Sequence, residues 1–292
     1  MSRDQGYVAG GVQRRGPGDR EKKNSFIPAL RGGRGFARPG LSWRYHPHMF
    51  RLQHAVLDDP PRNVLSIERI TALEHQLFSL ATDDTDAIVL SSRLTWGFSA
   101  GVDLNDHTPD RIRPMLTAMH GLIRKLVELP CLLIAQVHGP CLGGAAELVL
   151  MCDGVIAADD ATFGFPEIKV GCFPPIAVAL LASRIGMPRA VDLVLSGRSF
   201  SAEEALAMGL INQVVPRGEK EETVLAYVEG LCGETSRATR RHTLLAMRRL
   251  SSYGWLTSLE ASEQAYLALP PQDLSEGIAA FLEKRPAVWK NG

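Results

Sequence analysis

From residue 50 onward the hydrophobic positions switch back and forth between short continuous runs and helical spacing. Residues 50–57 read as a strand, and Asp58-Asp59-Pro60-Pro61 as the turn that ends it. Over 65–80, Leu65, Ile70, Leu73, Leu77 and Leu80 recur at helical spacing. A short apolar run at 87–90 reads as a buried strand. Met115, Met119, Leu122, Ile123, Leu126 and Val127 share one helical face, which Pro130 ends. Strand then follows at 132–137, helix at 142–152 and strand at 155–158. Strands alternating with helices predict βαβ units around a mostly parallel sheet, an α/β fold.

The last third turns helical. Ser201-Ala202-Glu203-Glu204 has the form of a capping box, with Gly209 where a helix C-cap belongs. Helices are predicted over 219–232, 238–252, 256–268 and 275–284, with Pro270-Pro271 as a break.

Composition changes this picture mainly at the start of the chain. The 292 residues are 45% hydrophobic and 22% charged, ordinary for a globular protein with a sizeable core. No stretch reaches the roughly 18 to 20 apolar residues of a membrane-spanning helix, so no membrane partner is expected. Lys and Arg total 32, equal to Asp and Glu. That balance conceals a basic segment: residues 1–48 hold ten basic against three acidic side chains, with nine Gly and four Pro and no apolar period. Such a segment is expected to be a disordered basic extension. It reads as a dispensable tail ahead of Met49, as a transit peptide, or as an RNA-binding tail around Arg31-Gly32-Gly33-Arg34-Gly35. The remainder is mildly acidic, which argues against nucleic acid as a partner of the folded part. Five cysteines without C-x-x-C spacing predict reduced, mostly buried thiols in a cytoplasmic setting and no metal site.

Three segments carry candidate chemistry. In His138-Gly139-Pro140-Cys141-Leu142-Gly143-Gly144-Ala145-Ala146-Glu147-Leu148 a strand meets paired glycines and then a helix start, which leaves helical N–H groups free for a ligand. Glu147 lies there in an otherwise apolar run. It is either a helix-capping or solvent-facing residue, or a buried acid with a raised pKa. Glu167, in Phe163-Gly164-Phe165-Pro166-Glu167, is twenty positions on, so the two can meet only through tertiary structure. By itself it reads as a turn residue pairing with Lys169. Gly97-Phe98-Ser99-Ala100-Gly101 fits the G-x-S-x-G elbow of serine hydrolases. That use requires a downstream histidine, and His120 and His242, in helical patterns, suit the role poorly. The same turn also serves as a small-residue loop exposing a backbone N–H.

Taken together, and in this order, the three segments make residues 49–289 resemble the crotonase superfamily, the enoyl-CoA hydratase/isomerase group. The motifs are Phe98-Ser99-Ala100-Gly101-Val102-Asp103, Gly143-Gly144-Ala145-Ala146-Glu147-Leu148 with Cys152-Asp153, Phe163 to Glu167, and Glu276-Gly277 with Phe281 to Arg285. The resemblance implies a crotonase (ClpP-like) fold of ββα units. The core with the active site would occupy 49–210, and a helical C-terminal trimerisation region 211–292. It implies an oxyanion hole from the N–H groups of Val102 and Gly144, and acid/base roles for Glu147 and Glu167 in adding water across a 2-enoyl-CoA. Ala100, Asp103, Leu104, Phe173, Pro174 and Pro175 would line the substrate. The Gly171-Cys172-Phe173-Pro174-Pro175 version of the acyl-pocket segment resembles cyclohexa-1,5-diene-carbonyl-CoA hydratases. Ala145, where a glycine is usual, is expected to crowd the hole slightly. A homotrimer or dimer of trimers acting on an acyl-CoA thioester is implied, with no metal and no cofactor beyond the substrate's CoA. An isomerase of the same family, a serine hydrolase using Ser99 and a non-catalytic RNA-binding member are the alternatives. The basic helix carrying Arg237, Arg240, Arg241, Arg248 and Arg249 reads as a solvated or subunit-facing surface rather than a phosphate site; Lys284 and Arg285 are the better candidates for the nucleotide end of CoA.

Overall fold

The computed structural model describes residues 50–290. The basic extension at 1–48 lies outside them. Five strands form one fully parallel sheet: β1 (Leu52–Leu57), β2 (Ala87–Ser92), β3 (Leu132–Val137), β5 (Gly154–Ala158) and β8 (Gln213–Val215), in the order β1-β2-β3-β5-β8. Ala87 to Leu90 and every residue of β5 are buried. A parallel sheet covered on both faces needs such continuous apolar runs, and this is why these strands were legible as runs rather than alternations.

The connections supply the covering helices: α1 (Ile67–Leu80), α2 (Ile112–Leu126), α3 (Gly144–Val149) and α4 (Pro175–Ile185). In α1, Ser66 caps the first turn by accepting from the Arg69 N–H, and Ile70, Leu73 and Leu77 form the buried stripe. A second, three-stranded sheet lies across this body, with β4 (Pro140–Leu142) parallel to β6 (Thr162–Gly164) and β6 antiparallel to β7 (Ser199–Ser201). The alternation of the two sheets with helices is the expected α/β architecture of ββα units.

Four short strands escape the hydrophobic pattern. β4, β6 and β7 have three residues each, too few for a period to show. They depend on neighbours remote in the sequence: Cys141 faces Phe163, and Phe163 faces Phe200. β8 opens the region expected to be purely helical, and joins the main sheet through Ile156 to Gln213 pairing. The helix predicted from 142 starts at Gly144 instead, because Pro140 to Leu142 belong to the sheet.

α5 (Met187–Ser196) precedes β7, and beyond it come α6 (Ala202–Ala207), α7 (Lys220–Cys232), α8 (Arg237–Leu267) and α9 (Pro271–Glu283). The Ser201 side chain accepts from the Glu204 N–H, as its capping position predicts. The two helices expected at 238–252 and 256–268 are one 31-residue helix, running through Gly254 without a break. Its neighbours hold it. Arg237 and Arg240 both pair with buried Asp86, Arg241 with Asp83, Arg248 with Asp153 and Arg249 with Glu128. The arginines expected on a solvated or subunit-facing surface, rather than in a phosphate site, are thus paired with carboxylates of the same chain.

All five cysteines are free and buried. No helix among the described residues is long and apolar enough to cross a membrane.

Candidate active site

The loops leaving the carboxyl ends of β2 and β3 are stitched side by side. Phe98 N–H donates to Pro140 O at 2.9 Å and Leu142 N–H to Ser99 O at 3.0 Å, making a parallel bridge between Ser99 and Cys141. Clefts outside the carboxyl ends of parallel strands are where α/β folds bind ligands. On the other side, Leu65 N–H donates to Gly101 O at 2.8 Å and Asp103 N–H to Leu65 O at 3.2 Å. This bridge uses the polar groups flanking Val102 and leaves its own N–H unengaged. Gly144 is the first residue of α3, and its N–H likewise has no intrahelical acceptor. Neither N–H donates to a protein acceptor among the described residues. The two positions adjoin: a Cβ built on Gly144 would come within 2.5 Å of Val102 Cγ2.

Two glycines make this approach possible. Gly101 has φ +96°, and a Cβ there would meet Leu142 O at 2.7 Å. Gly143 has φ +55° and ψ −133°, a conformation closed to ordinary L-residues, and a Cβ would meet Glu167 Oε1 at 2.9 Å. Gly143 N–H also donates to Gly164 O at 2.9 Å, prolonging the β4–β6 pairing. That contact carries the chain from β6 into a short 3-10 helix, Pro166–Val170, and sets Glu167 over the glycine pair. The helix is backed by α9, which can approach because Gly277 has no side chain: a Cβ there would lie 2.4 Å from the Val170 carbonyl.

Glu147 is 3% exposed, one turn into α3. Its Oε1 accepts from the N–H groups of Ile176 at 2.8 Å and Ala177 at 2.9 Å, the first free donors of α4. It is a cap, as the bland reading of the sequence allowed, but for a different helix. Burial pushes its carboxyl up to about 7, and the two backbone donors oppose that rise. Glu167 is half-buried as a residue, yet its Oε2 is sealed from solvent and has no hydrogen-bond partner. Burial raises its pKa well above the carboxylate range, and the nearby Glu147 raises it further. The turn-residue reading, in which it pairs with Lys169, has no counterpart among the ion pairs. Two interacting acids thus have different surroundings: one steadied by helix-terminal N–H groups, the other without a donor on one oxygen.

Both acids line one cavity together with Ala100, Val102, Leu104, Gly144, Phe173 and Pro175. Two expected substrate residues are not there. Asp103 caps the short 3-10 helix Leu104–His107, accepting from Asn105 N–H at 2.9 Å. Pro174 precedes α4 as its N-cap, and only Pro175 reaches the cavity. Ala145 is fully buried in the apolar core and does not border the cavity, so its methyl group does not crowd the amide pair. Ser99 is fully buried, with Oγ donating to Asn63 O at 2.6 Å and accepting from Gly101 N–H at 3.1 Å. No histidine is among its partners, and it serves the loop rather than a nucleophile's task. Arg285 is held by Glu276 and Glu283, while Lys284 caps α9 in a left-handed conformation with φ 55°.

Among the lining side chains that the pattern of the sequence did not assign to the site are His107, His120 and Tyr266. His120 sits on the apolar face of α2 between Met119 and Leu122, and a histidine inside such a stripe was the available signal. Tyr266 had none. It reaches the cavity because α8 is continuous, and its ring meets Phe173 edge-on with centroids 5.3 Å apart.

Residues 53–292 match the enoyl-CoA hydratase/isomerase family. Cyclohexa-1,5-dienecarbonyl-CoA hydratase of Thauera aromatica is 33% identical over 234 residues, covering 80% of this chain and 90% of that protein. The 2,3-dehydroadipyl-CoA hydratase of Escherichia coli is 32% identical over 246 residues, with 78% and 91% covered. Among solved structures, an enoyl-CoA hydratase/isomerase from Xanthobacter autotrophicus matches with a TM-score of 0.69 at 28% identity, over 80% of this chain and 95% of that one. The chain belongs to the enoyl-CoA hydratase/isomerase family and has the crotonase fold.

Proposed function

We propose that this protein is a hydro-lyase that adds water across the 2,3 double bond of an enoyl-CoA. The observation that carries the reading is the pair of buried carboxylates sharing one cavity with two unengaged backbone N–H groups. The thioester oxygen sits against the N–H groups of Val102 and Gly144. As water attacks the β-carbon, negative charge builds on that oxygen, and each preorganised donor contributes about 2.7–4 kcal/mol to stabilising it. Glu147 is the base. Its two α4 donors hold the ionised form and aim it, and it takes the proton released as the water oxygen bonds to the β-carbon. Glu167, which its surroundings keep protonated, delivers a proton to the α-carbon. One proton is gained and one lost, and the roles reverse in dehydration. A pair of acids whose environments separate their pKa values is the arrangement acid/base chemistry requires.

Every proton transfer in this scheme falls to a protein carboxylate, so it calls for no metal and no cofactor beyond the CoA of the substrate. Isomerisation of the double bond needs only one such acid, and retention of both favours hydration. The chain's similarity to the cyclohexa-1,5-dienecarbonyl-CoA hydratase, with Phe173 packed edge-on against Tyr266 in the cavity wall, favours a cyclic acyl group as a second reading. A homotrimer or dimer of trimers would cover Met247, Leu250 and Tyr253, which α8 exposes at 64%, 80% and 87%.

The test is hydration of crotonyl-CoA and of a cyclic dienoyl-CoA, followed as loss of the conjugated enoyl absorbance. Turnover of either supports hydration, and their ratio decides the ring. Double-bond migration without water uptake would overturn the proposal.

A further inference from the structure

His120 has no task in water addition as assigned above, yet it is built with care. It is 1% exposed on α2, and its Nδ1 lies 2.8 Å from Glu263 Oε2 of α8, a carboxylate that Arg124 also approaches at 3.5 Å. A carboxylate only accepts, so the proton sits on Nδ1, and the neutral ring keeps a lone pair on Nε2. Burial lowers the pKa of the ring, with Glu263 opposing, so the neutral form is the resting one. No protein donor meets Nε2 among the described residues. Among the described residues the sealed polar side-chain atoms without partners are His138 Nδ1 and Glu167 Oε2, and His120 Nε2 is not one of them. Since the ring lines the cavity, its free edge opens into it. The same cavity is lined by the apolar side chains of Met115, Leu116, Met119 and Phe173 as well as by the two acids.

We infer that His120 selects the acyl group: its Nε2 accepts a hydrogen bond from a hydroxyl carried by the acyl chain, so that the favoured substrates are hydroxylated 2-enoyl-CoA thioesters. This rests on the hydratase reading and deepens it. A hydrocarbon chain strips water from Nε2 and returns nothing, whereas a hydroxyl restores the lost bond. A site with a buried hydrogen-bonding group discriminates against the analogue lacking its complement for this reason. Glu263 acts as a positioning residue, fixing the tautomer that makes Nε2 an acceptor.

The experiment compares kcat/KM for hydration of 2-enoyl-CoA thioesters of five to eight carbons, each with a terminal hydroxyl or with a methyl group in its place. At one length the wild-type protein is expected to favour the hydroxyl by about 10- to 100-fold. His120→Phe should erase that preference, bringing the hydroxyl-to-methyl ratio of kcat/KM at each length close to one. Hydration of the methyl series without preference at any length overturns the inference and leaves the hydratase reading intact. Persistence of the preference in His120→Phe overturns it as well. Failure to hydrate any member of either series overturns both. The wild-type ratio is read without any variant, so misfolding of His120→Phe does not shelter the proposal.

Discussion

Replacing Glu147 by Gln separates the two consequences of burying a carboxyl group. The amide keeps the side-chain shape, and its carbonyl oxygen can still accept from Ile176 and Ala177. What disappears is the charge and the ability to take a proton. General-base catalysis is worth typically about 10²–10⁴-fold, so kcat for enoyl-CoA hydration should fall by that factor. Stability should move the other way. The Glu147 carboxyl ordinarily titrates near 4.5 and is raised to about 7 by burial. Between those values the folded protein holds a proton that the unfolded chain releases, so the carboxyl's contribution is fully present below about 4.5 and is lost as pH rises through about 7. At about 1.4 kcal/mol per unit, the loss approaches about 3 kcal/mol above neutrality. The variant has no such slope, and it also relieves Glu167 of a like charge. Urea unfolding of both proteins from pH 5 to 8.5 should therefore show Glu147→Gln gaining on the wild type as pH rises, then levelling off. A gap that is flat, or that narrows with pH, would refute the claim that burial governs this carboxyl. Undiminished turnover would refute its role as base.

Three further outcomes follow from particular contacts. Gly143→Ala must hold an alanine at φ +55° and push Glu167 Oε1 aside, so it should cost about 1–3 kcal/mol in urea unfolding and lower kcat with little change in KM; unchanged kcat would mean Glu167 does not act from that position. Ser99→Ala removes two buried hydrogen bonds, for a stability loss of about 1–3 kcal/mol, but should leave turnover within about threefold if Ser99 is structural; abolished turnover in a folded variant would restore the nucleophile reading. Arg248→Ala should destabilise by about 3–5 kcal/mol, because it strands Asp153, whose Oδ2 also accepts from Leu133 N–H at 2.7 Å, along with the Cys131 carbonyl; a loss below 1 kcal/mol would show the guanidinium to be dispensable.

The alternation of apolar runs and helical stripes was enough, by itself, to determine the parallel α/β body, because strands covered on both faces and amphipathic helices write their burial into composition. The motifs around Gly101, Gly143-Gly144, Glu147 and Glu167 were equally plain, since glycine is demanded wherever the backbone turns left-handed against a carbonyl or a carboxylate. The sequence could not say which helix Glu147 caps, that Pro174 stands aside while Pro175 faces the cavity, or that α8 runs unbroken to deliver Tyr266 and Glu263. Nor could it show that His120, one more member of an apolar stripe, lines the cavity with its Nδ1 against Glu263. Those facts belong to tertiary structure for one reason: each depends on a partner more than twenty positions away, and side-chain periodicity records which face is buried but not what it is buried against.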